Sequence, residues 1–434
     1  MRICPQHYHQ LLTAVFLCDE AHYIRTGAAH RATLDEWRRA ADENGWIGSG
    51  DFKFTGALAR PYLLLKHKDL LKWRPIVPYT KHPMLSFLNQ ASRALRFLYT
   101  TVRPTSYTMH SQRDLPDLIA QISAEGFAHV EARLGDVKNM FTCLDHSVVI
   151  EAVDWLLDLC REEGIEAVHV GHGKHGPVQP WDLSKARPSS GRVIPLTELR
   201  RVVIFDLEHC EYIIGQVVVR QRMGVPMGSP VSPPLAILIC IFYEYRMVEQ
   251  YAGHPGMQHF GLRWVDDLVM FFASHDHLQD VDEDWQQYFS RMYHEDMELE
   301  TEDHDGAFKF LDSWITIHDD GSVDAKLYNK NTAEATPSCP QKFYRFPHGT
   351  SCTSEPVMVA TAIGMFVNAE RASSSPAMMK AGLTELVSEF QACRIPDPVI
   401  TRALRHVKLS NRSGYWDRDT MKSVFNPIRF GPGT

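Results

Sequence analysis

Arg263-Trp264-Val265-Asp266-Asp267-Leu268-Val269-Met270-Phe271 is the stretch on which the fold turns. Two adjacent carboxylates stand between apolar residues that favour strands. A buried carboxylate without a partner is costly, so acids in this setting belong at the rim of a sheet, where a cation can reach them. The pattern predicts two strands within residues 262–272, folded about Asp266 and Asp267. An isolated Asp-Asp pair between strands also describes a solvated hairpin turn, so the dyad gains meaning only from what accompanies it.

Three further segments accompany it. Leu134-Gly135-Asp136-Val137-Lys138-Asn139-Met140-Phe141 closes a predicted strand, 129–137, with an acid, and sets an aromatic ring five positions beyond that acid. A third carboxylate from a neighbouring strand would complete an oxygen site for Mg²⁺, which uses a few carboxylates plus substrate phosphates. Gly224-Val225-Pro226-Met227-Gly228-Ser229-Pro230-Val231-Ser232-Pro233 precedes an apolar helix. Its glycines let the backbone approach a ligand, and its prolines stiffen the loop. Lys66-His67-Lys68-Asp69-Leu70-Leu71-Lys72-Trp73-Arg74-Pro75-Ile76-Val77 is a basic turn between two predicted strands. It suits a triphosphate, through lysine point charges and an arginine fork.

These four segments, in this order, resemble reverse transcriptases over about residues 60–330. Within that class the resemblance is closest to the Penelope-like element reverse transcriptases, relatives of telomerase. Met227-Gly228-Ser229-Pro230 and Phe310-Leu311-Asp312 carry it, with Tyr328-Asn329-Lys330-Asn331-Thr332 and Tyr344-Arg345-Phe346-Pro347-His348. The resemblance implies an α+β right-hand polymerase with fingers, an antiparallel-sheet palm and a helical thumb. It implies an RNA-directed DNA polymerase from a retrotransposon of that type, acting with an RNA template, a DNA primer and dNTPs. Two Mg²⁺ ions, with Mn²⁺ as an alternative, would activate the primer 3′ hydroxyl and stabilise the leaving pyrophosphate. By resemblance Asp136, Asp266 and Asp267 are catalytic and hold the metals, Asp267 more weakly. Lys66, Lys68, Lys72 and Arg74 would hold phosphates. Phe141 would lie under the sugar and favour deoxynucleotides. Gly224, Pro226, Met227, Gly228 and Ser229 would shape the wall beneath the incoming base pair. Phe310, Leu311 and Asp312 would grip the primer. An intracellular, nuclear setting follows from the resemblance alone, and the oligomeric state does not follow at all. Penelope-like proteins often carry a GIY-YIG endonuclease, and no such pair of motifs follows residue 335.

Net charge runs the other way until it is divided. The 434 residues carry a formal charge of −8. Eleven acids and one base lie in 280–305, so the rest of the chain is slightly basic. Residues 60–113 hold ten Lys or Arg against one acid, and 321–434 hold fourteen against nine. Two basic regions thus flank an acidic one, and a local basic patch can follow phosphates whatever the total. Nine cysteines include no C-x-x-C pair, which argues against a structural zinc site and for a reducing compartment. Residues 234–243 form the longest apolar run, about half of what a membrane span needs. The apolar stretch 11–18 lacks a clear cleavage site and reads as the face of a first helix.

Predicted helices cover 84–101, 115–125 (capped by Asp114), 147–161, 196–210, 235–251 and 284–295, with a mobile loop at 172–190 and two paired strands, 308–318 and 322–328. The division expected is an N-terminal helical extension (1–58), fingers and palm (59–335) and a helical thumb (336–434). His172 and His175 read as loop residues, because no carboxylate stands at ligand-like spacing. Lys309 fits a surface lysine better than a proton donor to pyrophosphate. Arg402, Arg405, Lys408 and Arg412 recur at helical spacing and suit either duplex phosphates or solvent. Two other functions fit the same motifs: a viral RNA-dependent RNA polymerase, and a domesticated reverse-transcriptase fold that binds RNA without catalysis. Val265 and Phe141 argue against the first, and the intact acids against the second.

Overall fold

The computed structural model describes residues 4–66, 69–138, 140–251, 258–275, 289–295, 297–328, 346–409, 416 and 423–425, with backbone alone for residues 66, 69–71, 251, 408 and 409. In chain order the elements are α1 (Pro5–Leu17), β1 (Tyr23–Arg25), α2 (His30–Glu43), β2 (Tyr62–Lys66), β3 (Asp69–Ile76), a 3₁₀ turn (Tyr79–Lys81), α3 (Leu85–Val102), α4 (Asp114–Glu125), β4 (His129–Val137), α5 (His146–Glu162), β5 (Ala167–Val170), β6 (Val178–Trp181) and β7 (Arg192–Pro195). There follow α6 (Leu196–Glu208), β8 (Glu211–Ile214), β9 (Val217–Gln221), α7 (Ser232–Tyr251), β10 (Gln258–Trp264), β11 (Asp267–Ser274), β12 (Leu299–Glu302), β13 (Ala307–Phe310), β14 (Ser313–Ile317), β15 (Val323–Leu327), α8 (Glu355–Arg371), α9 (Pro376–Ala392) and α10 (Asp397–Leu409).

The chain forms two compact units, each assembled from three separate stretches. The first comprises Met1–Ser106, Val137–Ala252 and Tyr288–Leu299; the second comprises Tyr107–Asp136, Gly253–Gln287 and Glu300–Thr434.

In the first unit α3, α5, α6 and α7 pack on one another. Their apolar faces (Phe87, Leu95, Val149, Leu156, Val202, Ile239) are fully buried. Asp145 starts α5 by accepting a hydrogen bond from the Ser147 amide at 2.7 Å, which satisfies one of the donors a helix leaves unpaired at its first turn. Three small sheets complete the unit: β1-β9-β8, β2-β3 and β6-β5-β7.

The second unit is built on a four-stranded sheet of order β10-β11-β4-β12. β4 alternates between buried and partly exposed positions, as a strand with one covered face should. β11 is buried from Leu268 to Ala273, and its unbroken apolar run is what two covered faces require. Val269 and Phe271 of β11 pack with Ala132 and Leu134 of β4, with Ile119 and Ile122 of α4, and with Phe308 and Ile315 of the β13-β14-β15 sheet. A second core joins α8, α9 and α10 through Phe366, Leu386 and Ile400. The link between α8 and α9 is tied to β15 by a reciprocal pair: the Ala325 amide donates to Ser374 Oγ, and the Ser374 amide donates to the Ala325 carbonyl.

Several expectations shift locally. Asp114 does not cap α4; it is the first helical residue, and its carboxylate accepts from the His110 and Ser111 amides. The predicted loop 172–190 contains β6, paired with β5. Arg93 holds the turn before it through the carbonyls of Gly171, Gly173 and Gly176. Residues 308–318 form two strands, because Leu311 adopts a φ of +52° and turns the chain. Of the helix expected at 284–295, residues 289–290 are helical and 291–295 are not; residues 284–288 lie outside the described residues.

Phe271 is fully buried in the central strand. Its replacement in Phe271→Ala should destabilise the second unit by about 3–5 kcal/mol, measured as a loss of urea stability.

Candidate active site

Sheet register sets two of the three acids opposite each other within the second unit. β11 pairs antiparallel with β4, and Asp267 stands directly opposite Asp136. Directly opposed residues of such a pair lie about 4.5–5.5 Å apart at Cα, and their side chains project to the same face. Asp266 occupies the turn just before Asp267. Asp266 and Asp267 are exposed and Asp136 is half-buried.

The turn is tighter than the sequence suggests. Trp264 and Asp267 are register partners, so the two turn residues are Val265 and Asp266, and Asp267 already belongs to the strand. Val265 has a φ of +61°. Hairpins with positive φ at the first of two turn residues ordinarily place glycine there, and a branched side chain in that conformation costs roughly 1–2 kcal/mol. Arg263 supports the strained turn. Its side chain is fully buried. Nη1 donates to the Val265 carbonyl at 2.9 Å, and Nη2 donates to Thr108 Oγ1 at 2.6 Å. The Arg263 backbone is held too, by the Tyr107 carbonyl and the Met109 amide.

The donor set is chemically suited to a hard divalent cation, being oxygen only. Among the described residues no group of three or more His, Cys, Asp or Glu forms a ready-made metal cage.

The residues expected to meet the nucleotide lie in the first unit. Lys72 and Arg74 are exposed and share one face of β3, two positions apart. On β2, Leu64 pairs with Arg74 and Tyr62 with Ile76, and both Leu64 and Tyr62 are well exposed. The hairpin thus presents a mixed apolar and cationic face. Lys68 and the side chain of Lys66 lie outside the described residues. Past the hairpin, the Val77 amide donates to the Met227 carbonyl at 2.9 Å. Gly228 packs so tightly here that a Cβ would fall 1.9 Å from the Val77 carbonyl oxygen, and its φ is +144°. Gly224 (φ +78°) is equally hemmed in, by the carbonyls of Phe141 and Thr142. The Val225 amide donates to the Phe141 carbonyl at 2.8 Å, and the Gly224 amide to that of Leu144 at 2.6 Å. The segments around residues 74–77, 141–144 and 224–229 are therefore joined by backbone bonds. Pro226 and Ser229 are buried, and Phe141 and Met227 are half-buried.

Of the primer-grip residues, Phe310 belongs to the core beside the four-stranded sheet and Leu311 packs partly against it. Leu311 and Asp312 form the turn between β13 and β14, and the Asp312 carbonyl accepts from the Tyr328 amide at 2.8 Å. Elsewhere, Lys309 Nζ sits 5.5 Å from the centre of the Tyr328 ring. Arg402 pairs with Glu355 at 2.9 Å. Arg412 and the Lys408 side chain lie outside the described residues. Sequence reasoning gave no role to Arg263, nor to Asp206 beneath Ser229. The signal for Asp206 was available: it stands on the apolar stripe of α6 with Leu199, Val202 and Val203, where a carboxyl is out of place.

The fold is similar to that of a solved telomerase. Telomerase from Candida albicans, solved in complex with a TWJ fragment of telomeric RNA, matches 90% of this chain and 67% of its own with a TM-score of 0.52 at 11% identity. Apo telomerase from Candida tropicalis matches 91% of this chain and 67% of its own, with a TM-score of 0.49 at 12% identity. The telomerase of that organism bound to a TWJ fragment matches 89% and 58%, with 0.48 at 13% identity. The chain thus spans between 58% and 67% of the length of these telomerase chains. Neither a protein-family model nor a curated protein matches the chain.

Removing the Arg263 guanidinium in Arg263→Met leaves the Val265 carbonyl and Thr108 without their buried donor. The expected loss is about 3 kcal/mol in chemical denaturation.

Proposed function

We propose that this protein is an RNA-directed DNA polymerase that adds deoxynucleotides to a primer 3′ end. The observation that carries the reading is the antiparallel register that sets Asp136 opposite Asp267, with Asp266 in the adjoining turn. A fold shared with telomerase supports it. So does the segment order of the sequence, which resembles reverse transcriptases and, among them, Penelope-like elements. The RNA in the telomerase complex favours an RNA template as partner; a DNA primer and dNTPs follow from the motifs.

In this reading Asp136 and Asp266 hold two divalent ions, Mg²⁺ or Mn²⁺, and Asp267 assists. Such ions, when bound, would lower the barrier by activating the primer hydroxyl and neutralising charge on the leaving pyrophosphate. The protein's own contributions are positional and electrostatic. The exposed cationic face of Lys72 and Arg74 attracts phosphate oxygens, the arginine through a planar fork. The Phe141 ring restricts the space available to a sugar 2′ hydroxyl. The Gly224–Ser229 loop, fixed by the Met227 and Phe141 carbonyls, gives the base a rigid wall. The β13-β14 turn steadies the primer strand.

Primer extension on an RNA template with dNTPs and Mg²⁺ tests the reading. Asp136→Ala and Asp266→Asn should each reduce incorporation on the order of 10²–10³-fold. Chelation should abolish it, and added Mg²⁺ should restore it. Phe141→Ala should narrow the preference for dNTPs over rNTPs. Undiminished synthesis by Asp266→Asn would refute the mechanism, and a wild-type preference for rNTPs would redirect it to RNA synthesis.

A further inference from the structure

The Gly224–Ser229 loop is anchored from below by a carboxyl with no role in the chemistry proposed above. Asp206 projects from α6 and is almost completely buried. Its Oδ2 accepts a hydrogen bond from Ser229 Oγ at 2.7 Å. Ser229 in turn closes the loop, its amide donating to the Pro226 carbonyl at 3.0 Å. The Ser232 hydroxyl donates to that same carbonyl at 2.7 Å. Oδ1 of Asp206 has no hydrogen-bond partner among the described residues, and neither has the Tyr79 hydroxyl. Tyr79 approaches the carboxyl, but short of well-formed hydrogen-bond geometry.

The surroundings are neutral. Tyr79 comes from the 3₁₀ turn, Ser229 from the loop, Cys210 from the residue just before β8, and Tyr212 from β8 itself. Burial pushes the hydroxyls of Tyr79 and Tyr212 and the thiol of Cys210 well above their ordinary range. His82 stacks on Tyr79 with ring centres 4.5 Å apart, and burial pushes it down to about 3. No cation is among these neighbours. Burial accordingly pushes Asp206 up to about 7, against the opposing effect of its Ser229 and Tyr79 contacts.

We propose that Asp206 is a positioning residue that latches the Gly224–Ser229 loop and releases it on ionisation. The protonated carboxyl is a neutral anchor that keeps Ser229 in place. An ionised one is a buried charge with one well-formed donor, Ser229, and it is relieved when the cluster opens to water. The sign follows from the raised value. The folded state binds the proton more tightly than the unfolded chain, so the latch is fully stabilising at low pH and is lost as pH rises through about 7. For the polymerase proposed above, the consequence is a nucleotide pocket that loosens on the alkaline side. This last step rests on that reading; the latch itself does not.

Amide hydrogen exchange of the whole protein tests the latch without any assay of activity. After correction for the intrinsic pH dependence of exchange, protection at Val77 and Ser229 should fall about 10-fold between pH 6 and pH 8. In Asp206→Asn, which keeps an acceptor but cannot ionise, protection at these amides should be independent of pH. In Ser229→Ala it should be low throughout. Equal protection of the wild-type loop at both values, or an unchanged pH response in Asp206→Asn, would overturn the proposal. In parallel, the KM for dNTP should rise several-fold over the same interval in the wild type and stay level in Asp206→Asn. Absence of incorporation by any version would defeat the polymerase reading and leave the exchange result to decide the latch.

Discussion

The pairing of β4 with β11 is the constraint on which the acidic site depends. Two strands far apart in sequence meet in one antiparallel register, with Leu134 opposite Val269 and Asp136 opposite Asp267. Side chains alternate along a strand, so a slip by one residue would turn the apolar set of β4 away from the core and its terminal acid to the other face. The same apolar contacts that stabilise the sheet therefore determine which carboxylates become neighbours. α4 and the β13-β14-β15 sheet cover the face occupied by Val269 and Phe271, which leaves the strand ends as the place where charge can be exposed. Arg263 extends this logic to the turn: a buried cation grips the carbonyl of Val265, whose backbone conformation is unfavourable.

In the first unit the organising device is backbone contact rather than charge. Gly224 and Gly228 stand where any side chain would collide with carbonyl oxygens of other segments. Close approach lets Met227 bond to Val77 and Val225 to Phe141. Main-chain atoms thus hold both ends of the loop. Asp206 adds a side-chain anchor from α6. Burial pushes that carboxyl up to about 7.

Much of this was legible in the residues. The alternation of 129–137 and the apolar run after Asp267 specify strands, and β4 covers the predicted residues 129–137. The amphipathic stripes of α3, α5 and α6 specify helices in the same way. Where reading and structure part, local chemistry was overruled by something distant. Val265 is a poor residue for positive φ, so the turn reads as centred on the two acids, yet it falls one position earlier, where buried Arg263 supports it. Phe308 to His318 looks like one strand because its turn residue is Leu311 rather than glycine. Gly, Pro, Ser and His in 172–190 suggested a loop, yet β6 forms there on β5. The chemistry of the acids was readable from type and spacing, whereas the partners of Arg263 and Asp206 come from segments that no spacing rule connects.

The long separation between β4 and β11 has a cost during synthesis. About 130 residues must be made after the first strand before the second exists, which at ordinary ribosomal rates takes on the order of ten seconds. For that interval Val130, Ala132 and Leu134 lack the neighbour that will bury them, and the edge that should receive β11 is open to any other extended chain. Charged residues between these apolar positions, Glu131 and Arg133, form an ion pair with each other in the finished protein. Charges interleaved with apolar strand residues in this way disfavour pairing of a lone strand with another extended chain.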